Sequence, residues 1–149
     1  ARAVEEHFEA ATIVVGAAAV ADYRPSQVAE GKIKKGEGPL VLELVRTQDI
    51  LGSLGERKGE RLLVGFAAET EELLPRARAK LAAKHLDLIV ANEVHAGFGG
   101  ETNAAVLLPR GSDPIPVPQV SKRELADRIC DEIVQMRGAD RRTAVPEKV

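Results

Sequence analysis

Apolar positions recur with helical spacing at the start of the chain. Val4 and Phe8 stand four apart among Glu5, Glu6 and Glu9, so Arg2 to Ala10 is predicted to form a short amphipathic helix. The period then changes. Thr12 to Ala17 (TIVVGA) is almost continuously apolar and β-branched, the pattern of a strand covered on both faces in a parallel sheet. Arg61 to Phe66 (RLLVGF) and Asp87 to Asn92 (DLIVAN) repeat it, and Leu40 to Val45 (LVLELV) reads as a further strand. Thr47 is predicted to cap a helix over Gln48 to Arg57. Thr70 is predicted to cap another, reaching about His85, with Glu71 and Glu72 complementing its positive end. Asn103 to Leu108 and Pro114 to Val117 can pair as a hairpin whose prolines restrict the second strand to an edge. Ser121 and Glu124 form a capping box that opens a last helix to about Arg137, and the polar stretch from Gly138 to Val149 is expected to fray.

Helices alternating with buried strands give an α/β fold: a doubly wound, mostly parallel, Rossmann-like sheet with helices on both faces. A length of 149 residues allows one such domain, and no internal repeat divides it. Asp22 to Pro39 interrupts the alternation with prolines, glycines and a lysine cluster, and is expected to be a long mobile loop.

Composition narrows the partners. Hydrophobic residues at 44% and charged residues at 30% are those of a soluble globular chain, and the longest apolar run, Ala10 to Ala21, is too short to span a bilayer. With 21 basic against 23 acidic residues the formal net charge is -2, so no general attraction to nucleic acid exists. An aromatic content of 3% leaves no platform for base stacking. Cys130 is the single cysteine, expected to be a buried, inert thiol in a reducing cytoplasm.

In a sheet of this kind ligands bind beyond the carboxyl ends of the strands. After the first strand, Gly16 to Asp22 (GAAAVAD) permits close approach to the backbone, and Asp22 suits either a metal-bound phosphate or a turn cap before Pro25. Lys32, Lys34 and Lys35 form either a solvated run or part of a lid hinged at Gly31 and Gly36. Phe66, one of three phenylalanines, is either core or a flat wall for a base. Lys80 and Lys84, four apart on one helix, are either surface charges or a phosphate clamp. His7, His85 and His95 share no catalytic spacing. The GFGG ending at Gly100 opens no helix and is a poor dinucleotide fingerprint.

The order of these pieces is more telling than any one of them. AAAVADYRP, GKIKK, VRTQDIL, VGFAAET, the Lys80/Lys84 pair, LDLIVANEV and GFGGETN, in that order, closely resemble phosphopantothenoylcysteine synthetase from Arg2 to Arg137. The resemblance implies a ligase of coenzyme A biosynthesis. CTP activates the carboxylate of 4'-phosphopantothenate as an acyl-cytidylate with loss of pyrophosphate, and L-cysteine then displaces CMP; bacterial members use Mg²⁺. It further implies nucleotide contacts at Gly16, Ala17, Ala18, Asp22, Lys32, Gln48, Asp49, Ile50, Leu51, Phe66, Lys80 and Lys84, with no metal ligand assigned. Lys32, on a flap over residues 22–39, is the implied catalytic residue, stabilising charge on the acyl-cytidylate. A homodimer is implied, with the pantothenate site completed near the subunit interface. In bacteria the domain is usually fused to an upstream flavin-dependent decarboxylase, which would bring FMN.

The chain departs from the family at its start. A glycine-rich GGTREPIDPVR-like turn and an Asn-x-Ser-Ser-Gly-Lys segment with an essential asparagine are not among these residues, and Asn92 and Asn103 match other family positions. The expectation is therefore the C-terminal two thirds of a synthetase domain over 1–137 plus a polar tail over 138–149, able to bind nucleotide but inactive by itself. Glu101 stands where many relatives have Asp. Two other readings are a nicotinamide-dependent oxidoreductase, which lacks its glycine motif here, and a non-catalytic dimerisation fragment.

Overall fold

The three apolar runs become adjacent parallel strands in a computed structural model of the chain, which describes residues 1–93 and 100–143, apart from the side chains of Glu93 and of 139–143. Helix α1 (Arg2–Phe8) precedes β1 (Ile13–Gly16), the short strands β2 (Tyr23–Pro25) and β3 (Leu44–Arg46), and α2 (Ile50–Gly55). Then come β4 (Leu62–Glu69), α3 (Leu73–Ala83), β5 (Leu88–Glu93), β6 (Thr102–Pro109), β7 (Ile115–Ser121) and α4 (Lys122–Thr143). The main sheet has the order β1-β4-β5-β6-β7. β1 pairs in parallel with β4 and β4 with β5, whereas β6 runs antiparallel to both β5 and β7. Four of the five strands thus share one direction.

Alternation along the strands explains why the runs are apolar throughout. Leu62, Val64, Leu88, Val90, Leu107 and Val117 face α4, where Leu125, Ile129 and Ile133 close the first core. Leu63, Ala67, Ile89, Ala91 and Leu108 face the other way, toward Phe8 of α1, Leu54 of α2, Ala77 of α3 and Leu86. Each buried Leu or Ile contributes about 1.5–3 kcal/mol, so both faces must be covered for the sheet to be stable. The guanidinium groups of Arg57 and Arg61 lie over the ring of Phe8, 5.0 and 4.8 Å from its centroid, which ties α1 to the start of β4. At the same end of the sheet, Asp87 accepts from the backbone N–H of Leu63 at 2.8 Å and pairs with Lys58 and Arg110.

Several expectations change. β1 is an edge strand among the described residues and is only partly covered, with Val15 48% exposed. Leu40–Val45 does not join the main sheet: Leu44–Arg46 pairs antiparallel with Tyr23–Pro25, so the expected loop is the long connection of a separate two-stranded ribbon. The apolar side chains at Leu40, Val41 and Leu42 are exposed and drive no strand there. Thr47 caps no helix, because its hydroxyl donates to Ala21 O at 2.5 Å, and Asp49 caps α2 instead. Thr70 is likewise not a cap; α3 opens after Glu72, which has φ +50° and makes no side-chain cap. The capping hydrogen bond from Glu124 N–H to Ser121 Oγ, 3.1 Å, is present at the start of α4, and that helix continues past Arg137 to Thr143. Cys130 is exposed on α4 rather than buried. His95 and most of the GFGG segment lie outside the described residues.

Candidate functional site

Parallel strands β1, β4 and β5 end together, and a cleft of about 980 Å³ opens beyond β1 and β4. Its floor is the chain from Gly16 to Val20. A Cβ on Gly16 would stand 2.8 Å from Leu51 Cδ1, so the glycine lets the Leu51 side chain in the first turn of α2 pack against the end of β1, and a larger residue would displace that side chain. Thr47 then joins the two flanks of the cleft. Its N–H donates to Asp22 O at 2.9 Å and its hydroxyl to Ala21 O, which sets Asp22 beside Gln48 and Asp49. Phe66, on the face of β4 toward α4, is 37% exposed and forms part of the wall. Lys80 and Lys84 enter from α3 and its C-terminal end, while Lys122, Leu125 and Ile129 of α4 close the opposite side.

Neither candidate clamp lysine is unpaired. Lys80 Nζ donates to Glu69 Oε1 at 2.5 Å, and Lys84 Nζ to Asp49 Oδ1 at 2.9 Å. The like-charge repulsion expected from their spacing is therefore offset by one carboxylate each. Asp49 Oδ1 also accepts from the N–H of Gly52 at 3.0 Å. Partial burial raises the Asp49 carboxyl, but the Gly52 N–H and the Lys84 ammonium outweigh it, and the pKa is lowered from the ordinary value. The Gly52 N–H is thus engaged by Asp49, and the cations lining this side of the cleft are Lys80 and Lys84.

Every candidate residue except one lines this cleft: Gly16, Ala17, Ala18, Asp22, Gln48, Asp49, Ile50, Leu51, Phe66, Lys80 and Lys84 do. Lys32 does not. It stands exposed in the connection between β2 and β3, as do Lys34 and Lys35. The structure adds Asn92, Asn103 and Lys122 to the wall. Asn103 Oδ1 is buried without a hydrogen-bond partner among the described residues. Glu69 is the residue that sequence reasoning passed over: at the end of the AAET string it reads as a surface acid, and only the strand's alternation signals that it points inward. Among the described residues no group of three or more His, Cys, Asp or Glu side chains is arranged to hold a metal ion, and no helix is long and apolar enough to cross a membrane.

Comparison with known proteins finds relatives of this chain. The model of the DNA/pantothenate metabolism flavoprotein C-terminal domain matches residues 1–136. The chain is 47% identical over 137 residues to the coenzyme A biosynthesis bifunctional protein CoaBC of Bacillus subtilis, covering 90% of this chain and 34% of that protein. The protein of the same name from Mycobacterium tuberculosis is 44% identical over 147 residues, covering 90% and 35%. A crystal structure of the C-terminal domain of CoaBC superposes with a TM-score of 0.76 at 36% identity, over 93% of this chain and 61% of that one. The chain spans about a third of the length of these curated relatives.

Proposed function

Because the chain belongs to the DNA/pantothenate metabolism flavoprotein C-terminal domain family, we propose that its cleft binds CTP and serves the ligation of 4'-phosphopantothenate to L-cysteine in coenzyme A biosynthesis. The observation that carries this reading is the meeting of four separate segments at one opening: the small residues after β1, the first turn of α2, Phe66 of β4, and the lysines of α3. Gly16 to Ala18 and Phe66 frame a narrow place for a base. Lys80 and Lys84 answer the phosphates, each with N–H donors left after its carboxylate contact.

The proposed reaction has two steps. A carboxylate oxygen of 4'-phosphopantothenate attacks the α-phosphorus of CTP, the bond to the β-phosphate oxygen breaks, and pyrophosphate leaves. The cysteine amine then attacks the acyl carbon, the amide forms as the amine loses a proton, and CMP departs. Lys80 and Lys84 hold the outer phosphates in the first step. Lys32, standing outside the cleft, acts in the second once its segment closes over the intermediate. Mg²⁺ typically binds through one or two carboxylates together with phosphates. Asp22, a residue of the cleft lining, suits that arrangement and would hold an ion that offsets phosphate charge.

Relatives named as bifunctional support an upstream decarboxylase in the same polypeptide, with FMN belonging to that part. A homodimer is proposed on the exposed Tyr23, Val41, Leu42 and Leu44 of the ribbon and its connection, which leave apolar surface uncovered; sedimentation would detect it. A reaction fed by CTP fits the cytoplasm. The central test is calorimetry with CTP, UTP, ATP and NADH in the presence of Mg²⁺, paired with pyrophosphate release in the longest polypeptide containing these residues. Preference for CTP and release that requires 4'-phosphopantothenate are expected. Equal affinity for all the nucleotides would remove the base assignment.

A further inference from the structure

On β4, Leu63, Gly65, Ala67 and Glu69 occupy the same face of the strand, so a carboxylate follows three small or apolar positions into the interior. Glu69 is only 9% exposed and is the one buried charged residue among those described. A buried carboxylate is unfavourable unless cations meet it. Two do, one on each oxygen: Lys80 Nζ at 2.5 Å from Oε1 and Arg76 at 3.6 Å from Oε2. Arg76 and Lys80 are four apart on α3, so a single acid fixes the face of the helix that leads to the cleft. Lys80 lines the cleft and Glu69 does not. The acid therefore stands behind the lysine.

We propose that Glu69 is the positioning residue of the phosphate site, holding the Lys80 ammonium at the cleft wall before the nucleotide arrives. The proposal rests on the nucleotide reading of the cleft and deepens it. A lysine side chain has four torsions, and most of its freedom must be lost to hold a phosphate. Glu69 removes that freedom in advance and uses one of the three ammonium N–H groups, leaving the others to face the ligand. Arg76 offsets the acid's charge, so the phosphates meet a cation backed by a neutralised pair rather than an open carboxylate. Asp49 differs: it lies in the cleft wall itself.

A double-mutant cycle on CTP and CMP binding, with thermal melts to show that each variant is folded, tests this. Glu69→Gln is expected to weaken CTP roughly fivefold, within the range of coupling between contacting charges, and to change CMP less than twofold. In a Lys80→Gln background the same substitution should cost nothing further. Unchanged or tighter CTP binding in Glu69→Gln, or losses that multiply in the double variant, would overturn the positioning role. If Glu69→Gln does not fold, Glu69→Asp, which keeps the charge and withdraws it by one methylene, replaces it with the same criteria. Should Lys80→Gln bind CTP as well as the parent, the nucleotide reading falls too. A sensitive Lys80 beside an inert Glu69 removes the positioning role alone.

Discussion

Lys80 and Lys84 lie one helical turn apart, yet their surroundings differ, and the difference can be measured. Lys80 is backed by the buried Glu69, whereas Lys84 shares Asp49 with the cap of α2. Charge-assisted hydrogen bonds contribute about 1.5–3 kcal/mol. Removing either ammonium, as Lys80→Gln or Lys84→Gln, should therefore weaken CTP roughly tenfold while CMP, which lacks the outer phosphates, loses much less. Equal losses for both ligands in calorimetry would move the lysines away from those phosphates. Asp49 gives a pH-dependent prediction. Its folded pKa lies below its unfolded value, so its contribution to stability is present above about pH 4 and is lost as pH falls through the folded pKa. Asp49→Asn retains an acceptor for Gly52 but not the charge. The gap in Tm between parent and variant should be present at neutral pH and close as the pH falls through the folded pKa; a gap constant into acid would show that the charge is not what stabilises this junction.

Among the elements, the buried strands were the most legible, because β4 and β5 have cores on both faces and burial leaves an unbroken apolar run. Helix starts were less so. Thr47 and Thr70 have the right chemistry for caps, but a cap depends on where the chain turns, and at Thr47 the hydroxyl is drawn across to Ala21. The ribbon of β2 and β3 was hidden for a related reason: the hydrogen bonds that define it join residues about twenty apart, beyond the reach of local periodicity. Contacts between elements were not legible at all. A Cβ on Gly55, at the end of α2, would stand 2.0 Å from the backbone oxygen of Lys84, where nothing flexible can yield. Gly55→Ala should therefore force α2 away from the end of α3 and destabilise the fold by about 2–3 kcal/mol, as overpacking does. Denaturant unfolding would register it, and a neutral result would show that the two helices separate freely. The connection carrying Lys32 should behave differently. Lys32→Gln is expected to spare pyrophosphate release and slow consumption of the acyl-cytidylate, because in the proposed site Lys80 and Lys84 already meet CTP; an unchanged second step in rapid quench would count against it.

At the scale of the whole molecule, the cleft is where segments distant in the sequence meet. Residues that line it come from the end of β1, from α2, β4 and α3, and from α4 on the far side of the sheet. Local patterns placed strand ends near one another, as the doubly wound topology requires, and so made Gly16, Asp22 and Phe66 legible as candidates. The lysines were selected only by the resemblance of the ordered motifs, since on periodicity alone they were as well explained as surface charges. Glu69 and Lys122 stayed hidden because burial and cleft lining arise from packing between distant segments. A ligand bound across the cleft would couple these segments, among them β1, which has one strand neighbour among the described residues. CTP should therefore stabilise the entire fold. At one hundred times its dissociation constant the linkage contribution is about 2.7 kcal/mol, which for a chain of this size corresponds to a rise of roughly 5–10 °C in Tm. Scanning calorimetry with CTP, ATP and UTP at matched Mg²⁺ would measure it, and the shift should be largest for CTP and reduced in Lys80→Gln. An equal shift for all three nucleotides, undiminished in the variant, would mean that they bind somewhere other than this cleft.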